Sequence, residues 1–133
     1  MKQLSIFVEN KIGSLAEITT VLKNNSINIR AFSSFDSPDY GILRIVTNDS
    51  EQAKKVLVEE GFMVRTTEVI AVELKDQPGD LDRVLNILAD ENISVQYIYS
   101  FVLRSGMSPC MVMNLSNQEK AKDVLNKNNI QFE

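Results

Sequence analysis

The chain is written twice, and this constrains its fold more than any other feature. Ile12-Gly13-Ser14-Leu15 lines up with Pro78-Gly79-Asp80-Leu81 at an offset of 66, and Leu22 falls on Leu88, Ile27 on Ile93, Ile29 on Val95 and Ser34-Phe35 on Ser100-Phe101. Further on the offset becomes 68: Ala53-Lys54 matches Ala121-Lys122, and Val56-Leu57 matches Val124-Leu125. The two extra residues fall near Arg104 to Ser108, where Ser105-Gly106 reads as a turn, and an insertion belongs in a loop. The 133 residues are therefore expected to form two small domains, residues 1–68 and 69–133, each large enough for one independent core. No Gly/Ser-rich or Pro-rich linker separates them. A join this short restricts their relative positions, so packed neighbours are expected.

Periodicity changes in the same order within each copy. Leu4, Ile6 and Val8 alternate with polar or exposed positions, as do Ile70, Val72 and Leu74, which predicts half-buried strands. Leu15, Ile18 and Leu22, and then Leu81, Val84, Leu85 and Leu88, keep helical spacing. Ser14-x-x-Glu17 has the letters of a capping box. Two β-rich runs follow in each copy, Ile27 to Phe35 then Ile42 to Thr47, and Ile93 to Leu103 then Cys110 to Leu115. A second helix carries Ala53, Val56 and Leu57 behind Asp49-x-x-Gln52. Its counterpart carries Ala121, Val124 and Leu125 behind Ser116-x-x-Glu119. Short final strands hold Phe62 and Val64, and Ile130 and Phe132. The order is βαββαβ, twice: an α+β chain of two ferredoxin-like domains, with helices on one face of each antiparallel sheet.

Composition removes whole classes of function. The sequence contains no histidine, so the commonest general base and transition-metal ligand is missing, and Ser–His and Cys–His nucleophile pairs are excluded. A net charge of −4 without a basic cluster is a poor match to nucleic acid, whose binding depends on cations that neutralise phosphates. No run is apolar over the ~20 residues a membrane helix needs, and the alternating N-terminus reads as a strand rather than a signal peptide. A cytoplasmic protein is expected, with no membrane partner. The single cysteine, Cys110, reads as a structural thiol on a strand. No cofactor motif, Gly-rich phosphate loop or dinucleotide fingerprint is present. Asp76, Asp80 and Asp82 are compatible with weak binding of a hard cation, but acids at a helix start are common without a metal. No catalytic residue and no metal ligand is assigned, and the chain is not expected to be an enzyme.

The informative positions join the first strand to the first helix in each copy: Glu9-Asn10-Lys11-Ile12-Gly13-Ser14-Leu15 and Lys75-Asp76-Gln77-Pro78-Gly79-Asp80-Leu81. Glycine there permits positive φ and close approach of a ligand. Just beyond it the helix presents unpaired N–H groups at the positive end of its dipole, a corner suited to a carboxylate. Asn10 and Asp76 offer acceptors to an ammonium group. An α-amino acid has the complementary pair. The bland alternative is good turn chemistry serving structure alone. In the second β-run of copy two, Tyr97 and Tyr99 point to one face. There they either wall a pocket or belong to a core or interface. Ser100, like Ser34, is a candidate donor or a small-residue contact.

The βαββαβ order, the turn Asp76-Gln77-Pro78-Gly79-Asp80-Leu81 and Ile93-Ser94-Val95 opening the second strand together resemble the ACT domain family, one domain per half and over the whole chain. The resemblance implies binding of an amino acid, less often another small effector, between paired domains. The ligand is expected against the first strand–helix loop of one domain and the second strand of a neighbour. Carried over, it points to Asn10, Ile12, Gly13, Ser14 and Leu15, and to Asp76, Gln77, Pro78, Gly79, Asp80 and Leu81, with Tyr97, Tyr99 and Ser100 on the strand side. The first copy departs from the pattern: Ile12 stands in place of the proline, and Lys11 adds a cation. The resemblance implies a regulatory sensor that signals to a partner in trans, and open sheet edges favour a homodimer. The alternative is a structural or protein-interaction module of the same fold that takes no ligand.

Overall fold

The computed structural model describes residues 1–36, 38–101 and 106–133, with the side chain of Asp36 also outside the description. The described elements, in order, are β1 (Lys2–Glu9), α1 (Ser14–Asn24), β2 (Ile29–Asp36), β3 (Tyr40–Thr47), α2 (Ser50–Glu59), β4 (Val64–Glu68), β5 (Ile70–Glu73), α3 (Asp80–Asp90), β6 (Val95–Ser100), β7 (Cys110–Leu115) and α4 (Gln118–Lys127). Two compact units result, one spanning Lys2–Thr67 and the other Glu68–Glu133 together with Met1. No helix among the described residues is long and apolar enough to cross a membrane.

In the first unit the sheet order is β2-β3-β1-β4. Antiparallel register sets Leu4 opposite Ile45, Ile6 opposite Leu43 and Phe32 opposite Ile45. Because strand side chains alternate, Leu4, Ile6, Val8, Leu43 and Ile45 share a face. They form one core with Ile18 and Leu22 of α1 and Ala53, Val56 and Leu57 of α2. Each such fully buried aliphatic contributes about 1.5–3 kcal/mol, so the sequence periodicity translates directly into which side each helix presents. Leu15 does not join them. It is 40% exposed, and the buried stripe of α1 is Ser14, Ile18 and Leu22, four residues apart on a single helix face, with Leu15 turned off it.

In the second unit the order is β5-β7-β6. Ile70, Val72, Leu74, Met113 and Leu115 pack on Val84 and Leu88 of α3 and on Ala121, Val124 and Leu125 of α4. Two expectations are corrected here. The last segment is no full strand: Phe132 makes an isolated bridge to Val72, with Glu73 N–H donating to Gln131 O and residues 71 and 133 exchanging bonds. β5 is not half-buried either, since Val69 and Ala71 are as inaccessible as Ile70 and Val72. A short strand with small or branched residues on both sides suits burial on both faces.

The capping letters sort differently from expectation. Asp49 caps α2, accepting from Gln52 N–H at 3.0 Å. α4 is capped by Asn117 rather than Ser116, through Lys120 N–H at 3.0 Å. Ser116 Oγ accepts instead from Ser94 N–H. α1 has no capping box: its N-cap is Gly13, without a side-chain hydrogen bond, and Ser14 is already helical. The duplication extends to backbone conformation. Ser26 and Asn92 have φ of 55° and 57°, and Gly61 and Asn129 have 89° and 54°. The first pair is 66 residues apart and the second 68, so the insertion lies between them. The Arg104 and Ser105 positions proposed for it, and Leu103 of the β-run, lie outside the described residues.

Candidate functional site

Each first helix starts from a glycine in the left-handed region, Gly13 at φ 85° and Gly79 at φ 87°. A methyl at either position meets nothing within 4 Å, so glycine is required by backbone conformation and not by crowding. The two corners share three backbone bonds. Lys11 N–H donates to Glu9 O and Gln77 N–H to Lys75 O. Ser14 N–H reaches Lys11 O at 3.3 Å and Asp80 N–H reaches Gln77 O at 3.4 Å. The helical ladders then open with Glu17 N–H to Gly13 O and Arg83 N–H to Gly79 O, both 2.9 Å. The amides of Leu15 and Ala16, and of Leu81 and Asp82, precede the first ladder bond and carry the positive end of the helix dipole. Among the described residues no side chain caps either helix.

Their side chains make the corners different. Asp80 is buried, and its carboxylate accepts from Lys75 N–H at 2.7 Å and from Arg83 Nε at 2.9 Å. The Lys75 amide first, then the Arg83 guanidinium, holds this carboxyl below the usual carboxylate range. Asp76, Gln77, Pro78 and Gly79 are exposed around it, and Leu81 packs partly buried against the core. The residue at Asp80's position in the first copy is Ser14. It is 8% exposed, and its Oγ is buried without a hydrogen-bond partner among the described residues.

Ser14 lines an open groove of about 690 Å³ in the first unit. Phe7, Val8 and Glu9 of β1, Lys11, Glu17 of α1, Tyr40 of β3 and the turn Glu60-Gly61-Phe62-Met63 complete it. Phe7 and Tyr40 are in ring contact, with centroids 5.1 Å apart, and both are about half exposed. Lys11 pairs with Glu9 at 3.3 Å. The groove thus joins a helix N-terminus, an aromatic wall and carboxylates, an arrangement able to hold opposite charges a few ångströms apart beside an apolar body.

Among the first-copy positions expected to contact a ligand, Ser14 alone lines this groove. Ile12 is fully exposed, Leu15 projects outward, Gly13 shapes the turn, and Asn10 is exposed with its N–H bonded to Asp39 O. Phe7, Tyr40 and the 60–63 turn were not anticipated. Phe7 left a legible signal, an aromatic at an outward position of an alternating strand. The turn left none, since it is distant in sequence. In the second unit Tyr97 and Tyr99 do share a face, with rings stacked at 6.4 Å. Tyr99 sits opposite Val112, which is also opposite Ala71, so it lies about 7 Å along the strand direction and about 10 Å across the sheet from Glu73, where β5 ends. Ser100 is exposed, and strand alternation sends it to the other face. Cys110 is half-buried, in no disulfide, and lies opposite Glu73. No cluster of three or more Cys, Asp or Glu suited to a metal exists among the described residues.

Comparison with known proteins places this architecture. The crystal structure of protein BT0572 from Bacteroides thetaiotaomicron is similar at 36% identity and TM-score 0.93, covering 99% of this chain and 90% of that one. The ligand-free regulatory subunit of aspartate kinase from Thermus thermophilus shares the fold at 12% identity and TM-score 0.68, over 95% of this chain and 91% of that one. The corresponding subunit from Thermus flavus does so at 15% identity and TM-score 0.63, over 94% and 88%. No curated protein sequence matches significantly. The family model for an ACT domain pair matches residues 1–133: with two ferredoxin-like units, a glycine-led corner in each and that match over the full length, the chain belongs to the ACT family as a pair of ACT domains.

Proposed function

We propose that this ACT pair is a regulatory module, not a catalyst, that binds a free α-amino acid at a strand–helix corner and reports occupancy to a partner protein in the cytoplasm. The observation that supports the reading is the Ser14 hydroxyl, buried with no hydrogen-bond partner among the described residues, in the first turn of a helix without a side-chain cap and in the wall of a groove open to solvent. An unmade hydrogen bond at a buried polar group costs about 1–3 kcal/mol, so a site of this kind gains from a ligand that completes it. The regulatory subunits that share the fold are consistent with this role. A ligand regulates only by favouring one conformation or assembly over another. Strands β2 and β6 stand last in the order of their sheets, and sheet edges are where two chains commonly associate.

Hydrogen bonds to a charged group contribute roughly 1.5–3 kcal/mol each, which after ordering costs corresponds to dissociation constants from about 1 mM to 1 μM. The test is a thermal-shift titration against the free amino acids. At a concentration about 100-fold above Kd, a true ligand adds roughly 2.7 kcal/mol of stability and raises the melting temperature by several degrees. No response to any amino acid sinks the proposal.

A further inference from the structure

We infer that the two corners have divided roles: the first is the ligand seat and takes an α-amino acid with an apolar side chain, while the second is closed by its own Asp80. This rests on the amino-acid reading above and assigns it to one corner and one ligand class. The backbone of the two corners is the same, so the second reports what chemistry the position accepts. There a carboxylate, supplied in cis by Asp80, takes the strand-end amide of Lys75 and the cation of Arg83. That corner's demand for an anion is met internally.

In the first copy the same positions hold Glu9, Ser14 and Glu17. Ser14 is one carbon and one oxygen short of a carboxylate, and its hydroxyl pairs with nothing among the described residues, so no side chain there plays the part of Asp80. A ligand carboxylate seated over the Leu15 and Ala16 amides accepts from Ser14 Oγ–H and restores the interaction that the second corner makes within itself. The cation is replaced as well: where the second corner has Arg83, the first has Glu17. Glu17 and Glu60 both line the groove, and neither forms an ion pair among the described residues, so they are acceptors for an ammonium group. The remaining wall, Phe7, Tyr40 and Met63, is apolar and 47–73% exposed. It shields an apolar side chain from water, and an acidic side chain there meets two carboxylates. The complementary ligand has carboxylate, ammonium and hydrophobe in that order.

The experiment is calorimetric titration of the intact chain with L-leucine, L-methionine, L-phenylalanine and L-aspartate, and with 3-phenylpropanoate as a ligand without the amine. One site per chain is expected for at least one apolar amino acid, with aspartate and 3-phenylpropanoate at least 10-fold weaker. Ser14→Asp, which puts a carboxylate of the chain's own where the ligand carboxylate would sit, should weaken binding at least 10-fold. Ser14→Ala, a milder change should the aspartate variant misfold, should weaken it about 10-fold, as loss of one hydrogen bond to a charged group requires. Arg83→Ala should leave affinity within twofold. Apolar amino acids that bind both Ser14 variants as they bind the wild type, or that lose affinity with Arg83→Ala, overturn the assignment while leaving amino-acid sensing intact. Preferential binding of aspartate overturns the ligand class. A wild-type chain that binds no amino acid overturns the sensor reading itself.

Discussion

Gly79→Ala isolates the conformational demand of the strand–helix corner. Gly79 sits at φ 87°, where an L-residue with a β-carbon is strained by about 1–2 kcal/mol. The new methyl meets nothing within 4 Å, so no steric clash adds to this. Alanine also stiffens the unfolded chain, which offsets about 0.4–1 kcal/mol. The net is a loss of roughly 1 kcal/mol, or about 4–8 °C in melting temperature for a domain of this size. Gly13→Ala, at φ 85° in equally open space, should cost the same. Gly79→Asn should cost less, because asparagine enters this region more readily, as Asn92 and Asn129 already do here. Urea unfolding provides the measurement: the midpoint should fall with the slope unchanged. An alanine variant as stable as the wild type would refute the left-handed corner. A loss several-fold larger would show that the position is crowded.

Further expectations follow from the caps, the buried aspartate and the sheet edges. Asp49→Ala and Asn117→Ala each remove one side-chain bond to a helix N–H and should each destabilise by about 1 kcal/mol, read as paired shifts in melting temperature. Asp80 has a folded-state pKa below its unfolded value, so the stability it contributes is fully present above about pH 4 and is lost as pH falls through the lower, folded value. Asp80→Asn should flatten that acid limb in urea midpoints measured against pH, and an unchanged limb would remove Asp80 as its source. Multi-angle light scattering should show a dimer, and a monomer at high concentration, with and without amino acids, would contradict association.

Much of the fold was legible because it is locally encoded. The alternation of Leu4, Ile6 and Val8 and the spacing of Val84 and Leu88 follow from the two periods of the polypeptide, and every one of these residues is buried. Capping was half legible. Asp49 behaved as read, but Ser14 and Ser116 did not, because in each case a neighbour took the role: Gly13 by its left-handed backbone, Asn117 by standing one residue nearer the helix. The candidate site was legible only in outline. Its glycine turn and free amides belong to one short segment. Leu15, by contrast, is a helical leucine that the tertiary fold leaves outside.

By itself the sequence determined the duplication, the order of elements, the glycine-led corners and the absence of histidine chemistry, all consequences of residue type and near-neighbour spacing. Tertiary structure alone decided that Asp80 folds back onto Lys75 and Arg83 while the Ser14 hydroxyl, in the same backbone setting, has no hydrogen-bond partner among the described residues. It also decided that Phe7, Tyr40 and the turn at Glu60–Met63 meet beside α1. The physical reason is range: periodicity is imposed by the covalent chain over a few residues, whereas a groove is made where strands far apart in sequence pair and bring their ends together.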